Sequence, residues 1–195
     1  MRDVSRRTAL RTITASTAGF ALAGMVPTAS ANKHEPPSAD EVTVEDENVE
    51  YIEQDPDAGF NYPYFLYTPS SLSSDEESAK PIFVGPNNSP SSEDDYTIHL
   101  EHAKNSALGG RPRQIAERLN VPLLVPVFPR YRDNPEPWYV YVQVLDPSTF
   151  NTEDSPLQRV DVQLLEMVEH ATSRLEENGH TIASEIHIDG FSASG

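Results

Sequence analysis

Cysteine is absent from the 195-residue chain, which removes disulfides, thiolate metal sites and any lipid-modified cysteine behind a leader. Lysine is nearly absent too: Lys33, Lys80 and Lys104 are the only three. Against 14 basic residues stand 31 acidic ones, a formal net charge of −17. A surface of that sign is a poor partner for nucleic acid or for an anionic membrane. No apolar run supplies the ~20 residues that a membrane-spanning helix needs. The nearest candidate, Thr12 to Val26, is short and rich in Thr, Ser and Gly. No internal repeat is visible.

What is present at the N-terminus is an export signature. Arg6 and Arg7 form a twin arginine ahead of that weakly apolar run, and Ala29-Ser30-Ala31 supplies small residues at the −3 and −1 positions of a cleavage site. Residues 1–31 are therefore expected to be a twin-arginine signal peptide, the route that exports folded proteins. The expected location is secreted, or membrane-tethered if the signal is retained, with membrane contact otherwise only transient during export. Four of the basic residues (Arg2, Arg6, Arg7, Arg11) lie in this segment, so the remainder is more acidic still. Self-repulsion of that size is costly at low salt and screened at molar salt, where the Debye length is ~3 Å. The composition resembles that of proteins from extremely halophilic archaea.

Residues 32–58 are acidic and proline-bearing, with Glu35-Pro36-Pro37 and Val44-Glu45-Asp46-Glu47. They are expected to be a disordered, solvated linker. A domain is expected over residues 59–195. Tyr62 to Tyr67 forms an aromatic strand, Ser70 to Ser78 a polar loop, and Pro81 to Val84 a short apolar strand broken by Gly85-Pro86-Asn87-Asn88. Residues 97–108 have some helical character, and Gln114 to Asn120 predicts a short helix burying Ile115 and Leu119. Val121 to Phe128 is a continuous apolar run, as in a strand covered on both faces.

Pro129 to Pro156 is irregular and aromatic. Leu157, Val160, Leu164, Val168, Ala171 and Leu175 then recur at helical steps, and Gly179 supplies a left-handed cap. Ile182 begins the approach to a last strand over Glu185 to Asp189. Alternating strands and helices predict an α/β fold with a mostly parallel sheet.

The chain closes on Gly190-Phe191-Ser192-Ala193-Ser194-Gly195. A serine at the tip of a tight strand-to-helix turn, with small residues two positions to either side, is how a hydrolase presents an alcohol nucleophile. Here the flanking small residues are Gly190 and Ser194, where the usual pattern has glycine at both, and Gly195 follows. An alcohol is a weak nucleophile until a base accepts its proton, so Ser192 alone is only part of a site.

On these residues, with Val84 to Asn88 and Pro122 to Arg130, the chain resembles the α/β-hydrolase superfamily over about residues 60–195. Within it the likeness is to secreted esterases related to polyhydroxybutyrate depolymerases. The resemblance implies Ser192 as nucleophile and the Ala193 backbone N–H as one oxyanion donor. Asn87 is a candidate second donor, since Pro86 has no N–H. It also implies a small-molecule or polymeric ester as substrate, no cofactor and no metal. The fold implied is an incomplete α/β-hydrolase three-layer sandwich with its C-terminal strands and helices missing.

In this superfamily the acid and the histidine follow the nucleophile along the chain. All six histidines, His34, His99, His102, His170, His180 and His187, precede Ser192. His34 falls in the linker, and His170 and His180 are expected to be exposed. His187 sits on the elbow's own strand. His99 and His102 follow the oxyanion loop, with structural hydrogen bonding the leading expectation for both. The chain as written is thus expected to be a catalytically incompetent fragment of a serine hydrolase, with Ile186 and Ile188 on an open sheet edge. Two alternatives stand beside this: a secreted non-enzymatic binding module using the aromatic segment, and a peptidase of the same fold. Asp189, Arg130, Arg132 and the Trp138–Tyr141 cluster have mostly structural readings.

Overall fold

The computed structural model describes residues 36–75, 77, 79–86, 95–128 and 156–190. The expected signal peptide, the Pro129–Phe150 aromatics and the Phe191–Gly195 turn lie outside the described residues.

The first elements rise from the acidic segment. Ser38 opens a 3-10 turn at Ala39–Glu41, held by the Ser38 N–H donating back to the Glu41 carboxylate at 3.0 Å. Asp46 then turns the chain: its carboxylate accepts from the Asn48 N–H at 2.9 Å and its carbonyl from the Val49 N–H at 3.0 Å. Strand β1, Val49–Ile52, follows and pairs antiparallel with β2, Tyr64–Tyr67. The Tyr51 hydroxyl donates to the Pro37 carbonyl at 2.8 Å, and its ring lies 5.2 Å from that of Phe65. The linker expectation for 32–58 is corrected over residues 36–58, where two 3-10 turns and a strand carry the chain onto the domain. Local composition hid this, because β1 borrows its apolar partners from β2.

Between β1 and β2, Asp55 caps a second 3-10 turn by accepting from the N–H groups of Asp57 at 3.0 Å and Ala58 at 3.1 Å. Gly59 closes it at φ +94°, a left-handed position where a Cβ would also fall 2.9 Å from the Glu166 Cγ. Strand β3, Lys80–Val84, leads to α1, Tyr96–Leu108, whose first turn is capped by Asp95 accepting from the Thr97 N–H at 3.0 Å. Helix α2, Arg111–Leu119, has Pro112 in its first turn and ends at Asn120, itself left-handed at φ +53°. It begins earlier than expected and buries Arg113 and Ala116, whereas Leu119, expected in the core, is 52% exposed. Strand β4 is Leu123–Pro126, α3 is Val160–Glu177, and β5 is Ile182–Ile188. Gly179 takes the expected left-handed cap at φ +87°.

The five strands lie in the order β1-β2-β4-β3-β5. β1, β2 and β4 pair antiparallel, whereas β3 is parallel to both β4 and β5. The fold is therefore α/β with a mixed sheet, in place of the mostly parallel one expected. Phe60, Tyr62, Tyr64, Phe65, Leu66 and the β4 residues form the centre of the core, all essentially without solvent contact. Helices dock on β2 through named contacts: His170 of α3 against Tyr64, and Arg113 of α2 over Tyr67.

Candidate functional site

The parallel strands β3, β4 and β5 deliver their C-terminal ends to one edge of the sheet, and their exits are pinned by backbone bonds. In register, Phe83 faces His187 and Val84 faces Ile188. The Asp189 N–H donates to the Val84 carbonyl at 3.1 Å, and the Gly85 N–H to the Leu124 carbonyl at 3.0 Å. Beyond β4, the Val127 N–H donates to the Pro63 carbonyl at 3.0 Å, and the Tyr96 hydroxyl at the start of α1 donates to the Val127 carbonyl at 2.8 Å.

Glycine is needed at the β3 exit. A Cβ on Gly85 would lie 2.8 Å from the Pro112 Cβ and 3.3 Å from the Leu123 Cδ1, so α2 closes on this turn only because position 85 has no side chain. The next residue, Pro86, is buried.

The chain leaves β3 for β4 on one side and then passes back to β5 on the other. Strand order thus reverses between β3 and β5. In open α/β sheets, the crevice outside the carboxyl ends at such a reversal is where ligands bind. Gly190, at the β5 exit, is exposed there. The other elbow residues, Ser192, Ala193, Ser194 and Gly195, lie outside the described residues, as do Asn87 and the twin arginines Arg6 and Arg7. What the structure places is the pair of stems, Val84-Gly85-Pro86 and Ile188-Asp189-Gly190, from which the expected oxyanion loop and nucleophile turn depart.

The histidines have separate fates. His99 is fully buried on α1. His102 is half-buried, its Nδ1 has no hydrogen-bond partner, and burial lowers its pKa from the usual histidine value. His180 is also half-buried with an unpartnered Nδ1, and His187 is exposed on β5.

His170, expected to be exposed, is half-buried: its Nδ1 lies 2.7 Å from the Tyr64 hydroxyl and its ring 5.3 Å from Phe60. His180 likewise departs from the exposed expectation. Sequence periodicity marks which helix face is apolar and is silent on a polar residue at that face's margin reaching a buried tyrosine. Among the described residues no group of three or more His, Asp or Glu could hold a metal, and no helix is long and apolar enough to cross a membrane.

One buried cation escaped the sequence reading. Arg113, 7% exposed, places its guanidinium 3.3 Å from the Tyr67 ring centroid. It also pairs with Asp46 at 3.1 Å and Glu117 at 2.8 Å, and donates to the Ala107 carbonyl at 3.2 Å. The i,i+4 spacing to Glu117 was legible. The tie to Asp46, which anchors the acidic segment, has no sequence signal.

Comparison with protein-family models, with curated proteins and with solved structures finds no match for this chain.

Proposed function

We propose that the chain carries the nucleophile-bearing part of an exported serine hydrolase of the α/β-hydrolase type, acting on carboxylic esters through an acyl-enzyme on Ser192. The observation that carries this reading is the side-by-side exit of β3 and β5, tied by the Asp189–Val84 bond at 3.1 Å. In that superfamily the second oxyanion donor comes from the loop between the third strand and the first helix, and the first from the residue after the nucleophile. Here that loop runs between Val84 and Tyr96, and it leaves the sheet beside the strand that leads to Ser192.

The layering is compatible with the same reading. Tyr64 meets α3 and Tyr67 meets α2. Residues an odd number of positions apart on a strand point to opposite faces, which supports helices on both sides of the sheet, as a three-layer sandwich requires.

In the mechanism this reading assigns, Ser192 Oγ attacks the ester carbonyl. The Ala193 N–H and a donor at Asn87 hold the oxyanion, each worth ~3–4 kcal/mol of barrier when preorganised. The proton from Ser192 needs a histidine, which follows the nucleophile in this superfamily together with the acid that orients it.

The test is hydrolysis of p-nitrophenyl acetate at molar salt by the native gene product, with and without Ser192→Ala. Ser192-dependent turnover is the expected result. Turnover by the native product that survives Ser192→Ala would overturn the assignment.

A further inference from the structure

Helix α2 is seated on the sheet by a cation. Of its nine residues only Arg113 and Ala116 are buried, with Ile115 partly covered against the core. Ala116 offers a single methyl group, and apolar contact is non-directional, so it leaves the helix free to shift along its axis. Arg113 does not. Its guanidinium nitrogens reach three different partners: Nε donates to Glu117 at 2.8 Å, Nη1 donates to the Ala107 carbonyl at 3.2 Å, and Nη2 lies 3.1 Å from the Asp46 carboxylate. Its central carbon lies over the Tyr67 ring, 3.3 Å from the centroid. A planar fork held along its edges and stacked on one face is fixed in position and orientation.

The partners come from separate parts of the fold. Asp46 turns the acidic segment into β1, Tyr67 ends β2, and Glu117 lies one turn further along α2. Ala107 is in the last turn of α1, where carbonyls have no partner within the helix. Arg113 supplies one of them with a donor and so ties the end of α1 to the start of α2.

What Arg113 holds adjoins the β3 exit. Pro112, its neighbour in the first turn of α2, packs on Gly85 so closely that a Cβ there would lie 2.8 Å from the Pro112 Cβ. Gly85 is bonded in turn through its N–H to the Leu124 carbonyl at 3.0 Å. The connection from Val84 to Tyr96 thus has both ends governed by Arg113. It acts on the β3 end through Pro112, and on the other through the helix whose last turn it holds.

We propose that Arg113 is a positioning residue for the β3 exit: it fixes the first turn of α2 so that Pro112 backs Gly85. The catalytic consequence rests on the hydrolase reading, in which the oxyanion loop departs from this exit. Arg113 then sets where the loop's donor stands as charge develops on the substrate oxygen. Such a donor acts in the transition state, so displacing it lowers kcat and leaves KM nearly unchanged.

Hydrogen exchange of the native gene product at molar salt tests the positioning without reference to activity. The slowest amides of the sheet report global unfolding, and an amide that loosens further reports a local change. In Arg113→Met the Gly85 amide should lose about tenfold more protection than those slowest amides. Arg113→Lys keeps the charge but neither spans three partners nor stacks flat, and it should show the same local excess with a smaller loss of overall stability. In the folded variants, kcat for p-nitrophenyl acetate should fall about tenfold to a hundredfold, with KM within about twofold. Arg118→Met, at an exposed position of the same helix, should change none of these.

Loss of protection in equal proportion at Gly85 and at the slowest amides would overturn the proposal, because Arg113 would then stabilise the whole fold without placing this exit. So would a rise in KM with kcat intact, or Ser192-dependent turnover that is unchanged in a variant whose Gly85 amide has loosened. A native product with no Ser192-dependent turnover would overturn the hydrolase reading, and the exchange comparison would then decide the positioning by itself.

Discussion

The Asp189 N–H donates to the Val84 carbonyl at 3.1 Å, and that bond seats the exit of β5 on the exit of β3. The residue after Val84 is a glycine for a steric reason, because Pro112 of α2 occupies the space a side chain would need. The β3 exit, the start of α2 and the β5 exit are thus positioned together, and a change at one is transmitted to the others.

Gly85→Val is the direct probe of that coupling. Its Cβ would meet the Pro112 Cβ at 2.8 Å, ring carbon that cannot swing away, so α2 or the β3 exit must move. Overpacking of this kind costs about 1–3 kcal/mol. Chemical denaturation should show that loss, whereas Gly109→Ala, at a position with nothing within 4 Å, should stay within about 0.5 kcal/mol. If the β3 exit is the part that moves, the Ser192-dependent turnover proposed for the native product should fall further than stability alone explains.

Arg113 predicts a contrast between a buried and an exposed cation. Arg113→Met keeps an apolar stem but strips the Ala107 carbonyl of its donor and removes the stack on Tyr67. The expected loss is about 2–3 kcal/mol, chiefly from the buried carbonyl and the stacked ring. Arg174→Met, which breaks the Glu50 pair at 2.5 Å where both side chains are more than 40% exposed, should cost under about 1 kcal/mol. Equal losses in urea titrations would refute the hub assigned to Arg113.

The same cluster sets a pH dependence. The Asp46 pKa lies below its ordinary 3.8, first through the Asn48 backbone N–H and also through Arg113, against an opposing effect of burial. Asp161 is lowered by its hydrogen bond from Arg159. A carboxyl whose folded pKa is depressed adds stability that is present above its unfolded pKa and lost as pH falls through the folded one. Stability should therefore decline below about pH 4. Asp46→Asn should flatten that acid limb by lowering stability at pH 7 while changing little at acid pH, and an acid limb that is unchanged in Asp46→Asn would assign it to other carboxylates.

Much of the sheet was legible because its strands bury both faces. Val121–Phe128 and Pro81–Val84 are apolar runs with nowhere else to go, and the α3 stripe from Val160 to Leu175 marks a single buried face. β1 was illegible because Glu50 sits between Val49 and Tyr51, and nothing local says that Tyr51 will find Phe65 and Pro37. The mixed sheet was illegible for a related reason: strand direction follows from connection lengths, and the β1-to-β2 turn runs through what reads as linker. At the site, the elbow pattern from Gly190 to Gly195 marked the β5 exit. Its neighbourhood with Gly85 depends on β5 crossing back over β3, a topological fact that no motif encodes.

Tyr64 and His170 supply a separate prediction. The hydroxyl is buried and bonded to the imidazole Nδ1 at 2.7 Å, and burial holds the phenol well above its ordinary pKa. Tyr64→Phe removes one hydrogen bond without changing ring packing against Phe60. The expected cost is about 1 kcal/mol, because His170 is half-buried and water can take the hydroxyl's place. His170→Ala should cost more, since it leaves the Tyr64 hydroxyl inside the core without a partner, a penalty of about 1–3 kcal/mol. An ordering in which Tyr64→Phe is the worse of the two would mean that the hydroxyl finds another acceptor when His170 is gone.

Salt should govern the stability of the whole molecule. With 31 acidic and 14 basic residues, folding concentrates negative charge that the extended chain keeps apart. Only five ion pairs offset it among the described residues, and two of them share Arg113. Raising ionic strength from about 0.1 M to about 1 M shortens the Debye length from ~10 Å to ~3 Å, below the spacing of most surface carboxylates. The melting temperature should therefore rise steeply over that interval. A further rise above about 1 M should follow the salting-out strength of the anion, with sulfate above chloride, because screening is by then complete and burial of the aromatic core is what remains to be strengthened. Charge-reducing changes on exposed carboxylates, such as Glu176→Gln with Glu177→Gln, should lift the melting temperature at 0.1 M and leave it unmoved at 3 M. A melting temperature flat across the salt series would remove self-repulsion from the account of this fold.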